Sequence, residues 1–107
     1  MTTDRLQTLQ SMHARDPSDG FCSYAIAMEH AKAMRHEEAL RWFATSAAAD
    51  ASSAYTYFHW ARSLEALGRD QEAVHAAREG LRTAMATSDT QAIGELKALL
   101  ASWGEVA

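Results

Sequence analysis

A single cysteine cannot cross-link a chain to itself, so Cys22 excludes an internal disulfide framework and fits a reducing compartment. A single proline, Pro17, leaves nearly every helix-favouring stretch unbroken. No apolar run approaches the roughly 18 residues that suggest a membrane span, and no basic-then-apolar leader opens the chain. A cytoplasmic setting is therefore expected. No basic run exists either: the net charge is −4 with both signs interspersed, so neither nucleic acid nor an anionic membrane is expected as a partner. A glycine-rich phosphate loop is also missing. At 107 residues there is room for one domain that buries roughly two-thirds of its unfolded surface.

What the chain does contain is a period. Glu38-Ala39-Leu40 with Phe43 beyond it recurs one period later as Glu72-Ala73-Val74 with Ala77, and one period earlier as Arg5-Leu6 with Leu9. The interval is about 34 residues, and self-similarity at this spacing marks a stack of helical hairpins. Such an architecture presents binding surfaces far more often than catalytic centres. Alanine-rich composition with few β-branched residues favours helix almost throughout.

Turn and cap signals divide the chain into six helices. The first runs from about Asp4, a capping residue with Gln7 three positions on, to Arg15, and Leu6, Leu9 and Met12 form its stripe. Asp16-Pro17-Ser18-Asp19-Gly20 ends it. A second spans about 20–34, and a third about 37–50, opened by two acids at its positive end. The fourth runs 54–67 behind a serine cap and stops at Gly68. The fifth, about 71–85, is capped by Asp70. The last ends near Trp103 and starts at a capping box of Ser88 with Gln91. Connections of two to five residues make consecutive helices antiparallel.

In this register the residues resemble the tetratricopeptide repeat family, which pairs helices A and B within each period and places small residues where they cross. Ala27 and Ala61 take the A-helix small positions, Ala39 and Ala73 the B-helix ones, with Phe43 as the B-helix aromatic and Ser46 and Gly80 as the later small residues. Gly68 supplies the corner glycine, replaced by Met34 in the first repeat. Pro17 is the one repeat-closing proline, with Ala51 and Met85 at its later positions. The resemblance implies an all-α, right-handed superhelix of about six helices in one domain: a B-like helix in 4–19, repeats at 20–53 and 54–87, and an A-like capping helix in 88–103.

The resemblance also implies that A helices line a concave face. Its columns are Phe21, Tyr55 and Asp89; Tyr24, Phe58 and Ala92; Met28, Arg62 and Leu96; and Lys32, Ala66 and Leu100, with His59 beside Phe58. The candidate partner-binding residues are Phe21, Tyr24, Met28, Lys32, Tyr55, Phe58, His59 and Arg62: an apolar track with a cationic edge, of the residue types that dominate interfaces. Some of these rings could equally fill space between neighbouring A helices. Some family members hold a chaperone's C-terminal carboxylate with a clamp of Lys, Asn and Arg. Here Tyr24, Met28, Tyr55 and His59 stand at those places, and the clamp is absent. The function expected is a non-catalytic adaptor or scaffold for an unidentified protein or peptide.

Other chemistry is thinly represented. His13, His30, His36, His59 and His75 form no i, i+4 pair, so no metal site is expected. His30 matches Leu64 of the next repeat and reads as a packing residue, while His36 and His75 read as solvent-facing. Cys22 has no histidine at a predictable distance and reads as a buried thiol. No catalytic constellation and no cofactor are expected. Trp60 belongs between the A and B helices, and Trp42 at the junction with the next repeat. Leu99, Leu100 and Trp103 either fold back onto the fifth helix or offer a homodimer surface, which makes self-assembly the alternative function.

Overall fold

Alanine and straight-chain residues, which lose little entropy in a helix, are common between the turns, and helix is the only regular structure among the described residues. The computed structural model describes residues 2–107. It contains α1 (Thr2–Arg15), α2 (Gly20–Lys32), α3 (His36–Ala49), α4 (Ala54–Ala66), α5 (Asp70–Ala86) and α6 (Thr90–Ser102). Each packs on its sequence neighbours, with α2–α3 and α4–α5 as the tightest hairpins. The A helices also touch one another, α2 on α4 and α4 on α6, whereas the B helices α3 and α5 do not meet. Helices that converge on one side and separate on the other curve the stack towards the A layer, which makes that layer concave.

Small residues permit this spacing. Ala27, Ala39 and Phe43 are fully buried together where α2 crosses α3, and Ala61 and Ala73 repeat the arrangement where α4 crosses α5. At Gly80 a Cβ would lie 2.9 Å from that of Tyr57 and 3.1 Å from a Leu96 methyl, so only glycine lets α5 approach α4 and α6 this closely. Ser46, its counterpart in the first repeat, donates a 2.8 Å hydrogen bond to the Gly20 carbonyl. Cys22 is buried against α1, its thiol donating to the Leu9 carbonyl at 3.2 Å, and burial raises its pKa.

Four helices end alike, with a residue at positive φ and a hydrogen bond that skips back over the last turn. These are Met34 (φ 63°), Gly68 (73°), Ser88 (57°) and Gly104 (76°), followed by Arg35, Arg69, Asp89 and Glu105, which donate to His30, Leu64, Ala84 and Leu100 at 2.9 Å. Met34 thus takes the corner glycine's conformation despite its side chain. Ser88 is the end of α5 and not the cap of α6. That cap is Asp89, which accepts from the Ala92 amide at 3.1 Å. Asp70 likewise lies inside its helix, with Arg69 at the cap, and the first helix begins two residues before Asp4. Ser53 holds the α4 cap position with no side-chain bond.

The third A helix departs from the repeat. The caps Asp19 and Ser53 are one full period apart, but Asp89 follows Ser53 by a period and two residues more. The cause is that α5 has 17 residues where α3 has 14, only partly offset by a shorter turn after it. Two extra residues turn a helix by about 200°. Ala92, Leu96 and Leu100, expected on the groove, are therefore fully buried, and Gln91, Gly94 and Ala98 are exposed instead. Leu99 is buried as well, and the Trp103 indole donates to Glu65 at 2.8 Å. Arg78 holds the terminal segment through Glu105 and the Val106 carbonyl, both at 2.7 Å. Of the two outcomes expected for this apolar end, the structure shows folding back onto the stack.

Candidate partner-binding groove

Helical spacing aligns Phe21, Tyr24 and Met28 along α2, and Tyr55, His59 and Arg62 along α4, on the concave side. Their rings form a connected series. Phe21 lies 6.5 Å from Tyr24, Tyr24 lies 6.0 Å from His59, and His59 lies 6.5 Å from Tyr55 and 5.1 Å from Phe58. Phe21 is 78% exposed; the others are half-buried. Tyr24 leans on the core ring of Phe43 at 6.4 Å, and Phe58 packs against the core of the second repeat. The aromatics thus serve both purposes, each half-buried ring filling a seam with one edge and facing solvent with the other.

Two depressions flank the series. One, of about 270 Å³, lies at the N-terminal ends of α2 and α4 and is lined by Phe21, Tyr24, Asp50, Ser53, Tyr55 and Thr56, among others. The other, of about 430 Å³, lies towards their C-terminal ends beside Met28, His36, His59, Arg62, Ser63 and Glu65. Lys32 lines neither. It pairs at 3.3 Å with Glu29, a buried carboxylate that also receives Arg5 from α1 at 3.1 Å. Arg62 pairs with Glu65 at 3.3 Å. The expected cationic edge is therefore largely neutralised by carboxylates.

Burial, then the nearby Arg62 charge, lowers the pKa of His59 against an opposing pull from Glu95, which keeps the imidazole neutral near pH 7. The Tyr55 hydroxyl donates to Glu95. That bond, with desolvation and the charges of Glu95 and Asp89, pushes the phenol up to about 12. Burial raises Tyr24. At neutral pH both phenols therefore stay protonated.

Asp50 and Glu65 escaped the sequence reading, although Asp50 repeats a visible pattern. Asp16 and Asp50, one period apart, each accept from the backbone and hydroxyl of the serine two positions on, with hydroxyl distances of 2.6 Å. His36, expected in solvent, shares a 3.1 Å hydrogen bond with Ser63 across α3 and α4. Trp42 faces α1 and not the next repeat, edge-on to His13 at 4.9 Å. His30 is buried and accepts from Arg35 at 3.0 Å; His75 is exposed.

The largest depression, about 490 Å³, lies on the opposite side of α4, where α3 and α5 separate. Its floor is Leu40, Leu64 and the parallel rings of Tyr57 and Trp60, 6.0 Å apart. Trp60 is partly buried there, packed against the cores of both repeats with one edge on the depression. The wall charges pair with one another, Arg69 with Glu72 at 2.7 Å and with Glu37 at 3.8 Å, so size alone distinguishes this trough. Among the described residues no group of three His, Cys, Asp or Glu side chains could hold a metal ion, and no helix is long and apolar enough to cross a membrane.

Comparison with protein-family models and with curated protein sequences finds no match. Solved structures do match. The TPR2B domain of yeast Sti1, solved as a complex with pHsp70, superposes with a TM-score of 0.87 over 92% of this chain and 78% of that one, at 17% identity. A tetratricopeptide repeat domain protein from Salinibacter ruber, solved by NMR, is 30% identical, with a TM-score of 0.72, over 78% of this chain and 85% of its own. A crystal structure of a tetratricopeptide repeat domain protein from the same organism gives 29% identity and a TM-score of 0.69, over 75% and 90%. The fold is therefore a helical repeat of this kind, and the chain belongs to the tetratricopeptide repeat family.

Proposed function

We propose that the chain is a non-catalytic adaptor that binds a peptide segment of a partner protein along the α2–α4 face. The observation that carries this reading is the continuous ring series running from exposed Phe21 through Tyr24 and His59 to Tyr55, with one depression bounded by Phe21, Tyr24 and Tyr55 and another beside His59. Aromatic rings exposed at the edge of a well-filled core gain from being covered, and they lose little side-chain entropy on binding. The likeness to the Sti1 domain supports the repeat fold. The partner in its name does not carry over, because Tyr24, Met28, Tyr55 and His59 occupy the places of a carboxylate clamp.

Phe21→Ala combined with Arg62→Glu tests the reading without touching the core, since both side chains are largely exposed. Tyr24→Ala would be a poorer probe, because that ring supports Phe43. Capture from extract, run with wild type and the double variant in parallel, should retain a protein on wild type alone, with unchanged circular dichroism and melting. Equal retention by both would move the working surface off this face. Mass in solution should not depend on concentration. A dimer abolished by the double variant would mean that the face serves self-assembly.

A further inference from the structure

The depression at the N-terminal ends of α2 and α4 joins three aromatic rings, Phe21, Tyr24 and Tyr55, to one carboxylate, Asp50, with no Lys, Arg or His in its lining. Asp50 is held in place by bonds from the Ser52 amide at 3.0 Å and hydroxyl at 2.6 Å, which also keep its carboxyl below the usual range and therefore ionised. Two more carboxylates act on the same end. Glu95 accepts the Tyr55 hydroxyl, and the charge of Asp89 reaches that phenol too.

The backbone does not reverse this balance. The N-terminal end of α2 carries partial positive charge, but the Asp19 carboxylate meets it directly, accepting from the Phe21 amide at 3.0 Å and the Cys22 amide at 3.3 Å. The N-terminal end of α4 brings a further partial positive charge. The C-terminal end of α3, where Asp50 stands, brings a comparable negative one. Full carboxylate charges therefore set the sign.

We propose, on the basis of the groove reading above, that this depression receives a cationic side chain, arginine or lysine, from the partner's peptide segment. The cation lies against the π faces of Phe21, Tyr24 and Tyr55, and Asp50 supplies the counter-charge. The aliphatic stem covers the exposed ring of Phe21. A phosphate or a terminal carboxylate would meet Asp50 with no cation to balance it. The pocket is thus opposite in sign to a carboxylate clamp, and a partner bound here carries a basic residue at this end of the groove.

A random dodecapeptide library displayed on phage, panned on the full chain at physiological salt, is the test, with synthetic peptides from it measured by titration calorimetry. Enriched peptides should share an arginine or lysine. Exchanging it for glutamine should weaken binding about tenfold, a reasonable sum for one cation–π contact and its counter-charge. Phe21→Ala and Asp50→Asn should each weaken binding comparably. Both keep the fold: Phe21 packs little, and asparagine retains the oxygen that accepts from Ser52. Phe21→Ala also preserves the net charge, so basic peptides that bind it undiminished are held by bulk charge, and the proposal falls. Peptides lost on Phe21→Ala/Arg62→Glu but sharing no basic residue would overturn the cation assignment and leave the groove reading standing. A library yielding no binder that depends on this face would overturn both.

Discussion

The two repeats share a backbone and differ in how they fill it. Buried positions of the second are mostly alanine and leucine, joined with α6 into one continuous cluster. The first is divided into two smaller clusters and buries Glu29 and His30 at the places where the second has Ser63 and Leu64. Each of these groups must be answered, Glu29 by Arg5 and Lys32, and His30 by Arg35. The first repeat thus depends on side chains at its surface to satisfy its interior, and the second depends almost entirely on shape. Groups that need outside partners are sensitive to pH and salt; shape is sensitive to volume.

Volume should therefore break the second repeat most easily. Gly80→Ala places a methyl 2.9 Å from the Tyr57 Cβ, an atom fixed to its backbone, so α5 must shift. A loss of about 1–3 kcal/mol is expected, read from urea unfolding. A loss below a few tenths would mean that the helices separate freely. Next in size, the first repeat should gain from being made like the second at its corner. Met34 sits at positive φ and is 75% exposed, so Met34→Gly removes strain and forfeits little packing, for a gain of about 1 kcal/mol in the same assay. No gain would mean that the methionine is anchored by contacts it does not show.

The smallest effect concerns pH. Burial, then the Arg35 charge, depresses the pKa of His30, with Glu38 pulling weakly the other way. The unfolded chain thus binds a proton there at higher pH than the folded one. Stability from this group is complete above about 6.5 and declines as pH falls through that value. His30→Leu should flatten the fall in the urea midpoint between neutral and mildly acidic pH. An unchanged slope would assign the fall to other groups, and His59, depressed in the same direction, is the first of them.

Six helices and the small residues at their crossings were legible because period, caps and composition agree with one another. The register of α6 was not. Ser88 and Asp89 can both cap a helix, and only the left-handed backbone at Ser88 decides between them, a feature that no side-chain pattern announces. At the groove, the aromatic identities could be read from the matching repeat positions of Phe21 and Tyr55 and of Tyr24 and Phe58. The loss of Lys32 could not, because its partner Glu29 is claimed jointly by α1, and that meeting depends on how the first helix packs.

The two-residue extension lies in α5, so α6, counted from its own cap, buries Ala92, Leu96 and Leu100 where α2 buries Cys22, Ile26 and His30. Where Ala27 and Ala61 let a B helix settle on α2 and α4, the matching place on α6, counted from its own cap, holds exposed Lys97. The face that α2 and α4 turn to their B helices is thus polar and exposed on α6, with a lysine where the two repeats bury alanine. A charged side chain at that place keeps the outer face of α6 wetted, where alanine would leave an apolar surface in need of a neighbour.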